Sequence, residues 1–285
     1  MPDVAVNGTT LHYEAVGNGP TCLVVHGWPG ADHTYLRPGL DVLARSLRLV
    51  FYDQRGHGRS LRLPALTITI EELAGDAAAL VGRLGGGPVL VLGHNHGAAV
   101  AQELALRHPD RVAGLILVAA TPGELGSQES LADTLDLPLV PVEADGLQRV
   151  PPASDDELAG TMRALAAYFF PRPETADAEA VFARTTWSSE AAVRWTLATA
   201  WWTSVDHLGE IAVPAALIAG RHDIFCPPQQ SQRIARHLNG ASTTVLEQSG
   251  HLPWLDEPEP FVAAVDGWLA TNDLLAEGGG RRPAR

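Results

Sequence analysis

Six runs of consecutive apolar residues punctuate this chain: "TCLVVHG", "LRLVFYD", "PVLVLGH", "VAGLILVAA", "VPAALIAG" and "STTVLEQ". Most are continuous rather than alternating, the pattern of parallel strands whose two faces are both covered. Helical patterns separate several of them. Thr69 and Glu72 form a capping-box signal ahead of "IEELAGDAAALVGRL", and "GAAVAQELALRHPDRV" reads as helix until Pro109. Strand and helix in alternation predict an α/β protein with a mostly parallel, doubly wound sheet. At the N-terminus, "VAVNGTTLHYEAV" alternates around Asn-Gly, which predicts an antiparallel hairpin at the sheet edge.

The alternation stops after Pro122 and resumes near Ile211. The expected division is a first core part over residues 1–121, a helical lid over 122–206, a second core part over 207–273 and a flexible tail over 274–285. The lid segment has Pro-rich breaks at "DLPLVPVE", "RVPPAS" and "FPRPE" and contains Tyr168, Trp187, Trp195, Trp201 and Trp202. With Trp28, these five are the expected substrate-contacting residues, since aromatic side chains supply large apolar contact area.

A chain of 285 residues that is 46% hydrophobic can bury a substantial core. Its formal net charge of −13 argues against nucleic acid or an anionic membrane as partner, because both need clustered Lys and Arg. Two cysteines without paired spacing suggest neither disulfides nor a thiolate metal site. With no signal-like leader and no membrane-length apolar run, the expectation is a cytoplasmic monomer or homodimer acting on a small molecule.

Four features fall at the carboxyl ends of predicted strands, where open α/β sheets bind ligands. "HGWPG" offers the backbone N–H of Trp28 to a substrate oxygen. "GHNHG" is a strand-turn-helix elbow that presents Asn95, with the N–H of His96 as a second oxyanion donor. "GRHDIFCPP" places Asp223 in a loop, and "SGHLPWLDEP" places His251 after a turn. An Asp that orients a His is the acid–base half of a catalytic triad. "HNH" lacks any acid-rich or HExxH-like accompaniment, so neither metal nor cofactor is expected.

Together "HGWPG", "FYDQRGHGRS", "GHNHGAAVAQELALRHPDRVAGLIL", "GRHDIFCPP" and "SGHLPWLDEPEPF" resemble the α/β-hydrolase superfamily, over residues 1–121 and 207–271. The proline-iminopeptidase-like and lactonase-like members are the most similar, with epoxide hydrolases and dehalogenases behind them. The resemblance implies catalytic His251, its partner Asp223, and oxyanion donors at Trp28 and His96.

The departure is Asn95. A carboxamide donates and accepts hydrogen bonds but makes no useful covalent bond to carbon. The leading reading is therefore proton transfer by His251 and Asp223 on a small apolar or aromatic carbonyl, ester or lactone, with Asn95 as positioner. Three alternatives stand beside it: a serine hydrolase whose nucleophile has been replaced by mutation, an epoxide hydrolase or dehalogenase with Asn in place of Asp, and a silent ligand-binding relative. Glu190 and Asp206 form no amine-holding pattern, Tyr168 is the lid's lone tyrosine, and His96 stands where a dehalogenase would have Trp. These departures weigh against iminopeptidase, epoxide hydrolase and dehalogenase activity in turn.

Overall fold

The computed structural model describes residues 2–62, 68–123, 152–172, 178–199 and 201–275. "DLPLVPVE", parts of the other two Pro-rich breaks and nearly all of the expected tail lie outside the described residues.

Among the described residues, eight strands form one sheet: β1 (Asp3–Val6), β2 (Thr9–Val16), β3 (Thr21–Val25), β4 (Arg48–Tyr52), β5 (Val89–His94), β6 (Val112–Val118), β7 (Ala215–Gly220) and β8 (Ser242–Leu246). Their spatial order is β1-β2-β4-β3-β5-β6-β7-β8. β1 pairs with β2, and β2 with β4, antiparallel; every later pairing is parallel. The Asn-Gly signal is realised as the β1–β2 turn, where Asn7 and Gly8 both adopt positive φ, 42° and 75°.

Among the described residues, seven α-helices of seven residues or more cover the sheet or rise above it: α1 (Ile70–Arg83), α2 (His96–Arg107), α3 (Asp155–Ala164), α4 (Ala178–Arg184), α5 (Ser189–Thr199), α6 (Pro228–His237) and α7 (Pro258–Thr271). Thr69 Oγ1 accepts the N–H of Glu72 at 3.1 Å, so the Thr half of the capping signal is made. α3, α4 and α5 fall between β6 and β7, where the strand-helix alternation lapses.

The continuous apolar runs make two cores, one on each side of the sheet. Cys22, Val24, Leu49, Phe51, Leu90, Leu92, Ile116 and Val118 pack with α7 and the inserted helices. Their chain neighbours Leu23, Val25, Val50, Tyr52, Val91, Leu115 and Leu117 pack with α1, α2 and α6. Successive side chains of a strand point to opposite faces, so each run supplies both cores at once. Among the described residues no helix is long and apolar enough to cross a membrane.

Candidate active site

Three strand ends and one elbow converge. β5 runs through Gly93 into Asn95, which has φ 53° and ψ −120° and caps α2. Positive φ is poorly tolerated by most side chains but better by Asn. The turn is possible because its flanking positions lack Cβ atoms. A Cβ on Gly93 would lie 2.4 Å from the Gly97 carbonyl oxygen, and one on Gly97 would lie 2.2 Å from that of Val25.

Asp223 follows β7 and His251 follows β8, and both are buried. His251 Nδ1 lies 2.9 Å from Asp223 Oδ2. The other carboxylate oxygen, Oδ1, accepts the N–H groups of Phe225 (2.9 Å) and Cys226 (3.0 Å). Because the carboxylate can only accept, Nδ1 bears the hydrogen and Nε2 presents its lone pair. That lone pair faces Asn95 Nδ2 at 3.0 Å. The structure thus brings Asn95, Asp223 and His251 into one hydrogen-bonded line.

The two N–H groups expected as oxyanion donors already have acceptors. The His96 N–H donates to Asn95 Oδ1 at 2.7 Å, and the Trp28 N–H lies 3.3 Å from the Tyr35 hydroxyl oxygen. Tyr35 also accepts the Gly27 N–H at 2.8 Å and is 2.8 Å from His94 Nδ1. His94 Nε2 in turn lies 3.0 Å from the His251 carbonyl oxygen. The acceptor carbonyl fixes the tautomer: Nε2 holds the hydrogen, and Nδ1 accepts from the tyrosine.

Rings enclose His251. Phe169 and Phe225 lie 5.7 and 5.5 Å from its ring and 4.9 Å from each other, and Trp28 is 4.9 Å from Phe169. The His251 N–H donates to the Phe169 carbonyl at 2.8 Å. Of the expected lid residues, Trp195 is buried with its ring 4.3 Å from that of His96, and Trp187 stacks 6.1 Å from Trp28. Tyr168 is half-buried against the core.

Trp201 and Trp202 do not fit the expectation. Trp201 is 90% exposed, and the indole N–H of buried Trp202 donates to Glu103 on α2 at 3.1 Å. Aromatic content alone does not say which way a ring points: Trp201 faces solvent, and Trp202 anchors its loop to a helix flank. Trp201→Ala is accordingly expected to change stability by no more than about 0.5 kcal/mol and to leave turnover unaltered, as urea denaturation and steady-state kinetics would read directly.

Sequence reasoning missed Phe169, Phe225 and Cys226 as members of the site. Cys226 Sγ lies 3.5 Å from Asn95 Nδ2, and Asp223, Cys226 and His251 offer donor atoms within 4.8 Å of one another. Its position three residues after Asp223 was the available signal. Asp223 Oδ1 holds the loop backbone and Oδ2 faces His251 Nδ1.

Three buried histidines near these turns, His26, His57 and His94, and the half-buried His96 stay neutral. Burial pushes His57 and His96 down to about 4 from the ordinary 6.5, and also lowers His26 and His94 well below it. His26 accepts the Gln54 N–H at 3.0 Å and His57 meets the Arg55 carbonyl at 3.0 Å, so both brace the "DQRGHG" turn. In this window the unfolded chain binds more protons than the folded one, so stability falls as pH falls. The urea midpoint is expected to drop progressively between pH 6.5 and 4; a flat midpoint there would contradict the neutral assignment.

A family model for the alpha/beta hydrolase fold matches residues 20–258. The chain belongs to the α/β-hydrolase family. A pimeloyl-[acyl-carrier protein] methyl ester esterase of Nitrosomonas europaea is 29% identical over 277 residues, covering 90% of this chain and 98% of its own. An esterase structure from Thermogutta terrifontis superposes with a TM-score of 0.75 at 26% identity, over 95% of this chain and 99% of its own. The enol-lactonase of Burkholderia xenovorans LB400 gives 0.73 at 25% identity, over 94% and 100%. This α/β-hydrolase is therefore an enzyme whose relatives are hydrolases, including esterases.

Proposed function

We propose that this α/β-hydrolase acts on a small apolar or aromatic carbonyl, ester or lactone compound by proton transfer, with His251 as general base and acid and Asp223 holding its tautomer. One observation carries the reading: the Asp223–His251 pair is intact, and its Nε2 lone pair is aimed at a residue that cannot attack carbon. Asn95 positions the reacting group, and turning its carboxamide about χ2 releases the His96 N–H to a developing oxyanion. Trp28, Phe169 and Phe225 favour an apolar or aromatic substrate body.

The esterase names of relatives spanning nearly the whole chain support a second reading, a serine esterase whose nucleophile has been replaced. The test compares Asn95, Asn95→Ser and Asn95→Asp on ester, lactone, cyanohydrin, epoxide and haloalkane substrates. Highest turnover with Asn95 is the expected result. An acyl-enzyme burst and dominant ester turnover with Ser would move the assignment to the serine branch. Epoxide or haloalkane turnover confined to Asp would move it to the Asp branch, and binding without turnover in every form would end the enzymatic reading of Asn95.

A further inference from the structure

The elbow gives Asn95 a second chemistry, directed at itself. Its ψ is −120°. In an L-residue the tetrahedral Cα sets Cβ a third of a turn from N, so this torsion makes the Cα–Cβ bond nearly eclipse the peptide bond to His96. That is the planar arrangement of a five-membered ring built from Cα, Cβ, Cγ, the His96 nitrogen and the Asn95 carbonyl carbon. The side chain is already folded back that way, with Oδ1 2.7 Å from the His96 nitrogen. His96 opens α2, so its nitrogen has no helical acceptor to break free from. At the other end of the carboxamide, Nδ2 lies 3.0 Å from His251 Nε2. The carboxamide is held at both ends, its oxygen beside the nitrogen that attacks and its leaving nitrogen on the His251 imidazole.

We propose that Asn95 converts itself to aspartate by closing on the His96 backbone nitrogen and reopening with water. The His96 N–Cγ bond forms as the Cγ–Nδ2 bond breaks. The proton lost by the His96 nitrogen passes by way of water to the His251 Nε2 lone pair, which faces Nδ2, and Nε2 then hands it to the departing nitrogen, which leaves as ammonia. Water then adds to Cγ, the Cγ–N bond breaks, the His96 N–H is regenerated, and a carboxylate remains. The net change is carboxamide plus water to carboxylate plus ammonium, with no redox partner. Opening at Cγ, beside His251, is favoured over opening at the main-chain carbonyl, whose oxygen accepts the Ala98 N–H at 2.9 Å and anchors the helix start. The aged protein therefore carries a carboxylate nucleophile on the elbow, a form distinct from the newly made chain.

This inference shares His251's acid–base role with the proposed function but needs no substrate, so the two fail separately. The full chain, freshly purified, is incubated at mildly alkaline pH in heavy-oxygen water, folded or urea-unfolded. The tryptic peptide from Leu84 to Arg107, in which Asn95 is the one asparagine, is then weighed and fragmented. Asn7, followed by Gly8, serves as an internal clock for ordinary deamidation. The expected result is conversion at residue 95 about tenfold or more faster in the folded chain than in the unfolded one, with Asp as the main product. His251→Gln slows it, and Asn95→Gln, whose ring would need six members, abolishes it. Conversion no faster in the folded chain, or a mainly isoaspartyl product, would overturn the proposal.

Discussion

His251→Ala is expected to lower kcat/KM by a factor of about 10³ while leaving the far-ultraviolet circular dichroism unchanged, the range ascribed to a positioned acid–base group. The loss is confined to chemistry because the groups around the imidazole have other anchors. Asp223 keeps the N–H groups of Phe225 and Cys226, and Phe169 and Phe225 still stack on each other. Added imidazole should restore part of the rate. A loss smaller than about tenfold would remove His251 from the acid–base role.

Gly97→Ala carries the largest expected effect on stability. Its new Cβ would meet the Val25 carbonyl oxygen at 2.2 Å and that of His26 at 2.7 Å, and both belong to backbone that cannot rotate aside. The cost is about 3 kcal/mol or more, from forced separation of elbow and β3. For a chain of this size that corresponds to a fall in Tm of roughly 6–12 °C. Gly82→Ala, on the exposed side of α1 with nothing within 4 Å, is the control and should stabilise by about 0.5–1 kcal/mol. Equal behaviour of the two variants in a thermal melt would refute the close-approach argument.

What could be read from the chain follows from which forces are local. The apolar runs became strands because burial on both faces is written as consecutive Val, Leu and Ile, and Asn7-Gly8 became a turn because its geometry needs positive φ. Asp223 and His251 met because each follows a strand in one parallel sheet. The contacts of Asn95 were not legible: that its own oxygen caps His96 depends on the side-chain rotamer at the elbow, and that Cys226 and Phe225 flank the site depends on how the loop after β7 folds. Trp195, Trp201 and Trp202 look alike in sequence, yet one faces His96, one solvent and one Glu103. The path of the chain in an inserted segment, rather than the residue type, decides among them.

The Tyr35–His94 contact has a consequence for proton traffic. Each hydrogen along this line points the same way, from the Gly27 and Trp28 amides to the tyrosine oxygen, from the tyrosine hydroxyl to His94 Nδ1, and from His94 Nε2 to the His251 carbonyl. The line ends on a main-chain oxygen rather than on the imidazole ring. It therefore braces the loop that carries His251 and gives no hydrogen bond to its ring, whose Nδ1 is committed to Asp223. Protons reach and leave the imidazole through Nε2 alone, on the side that faces residue 95 and whatever is bound there.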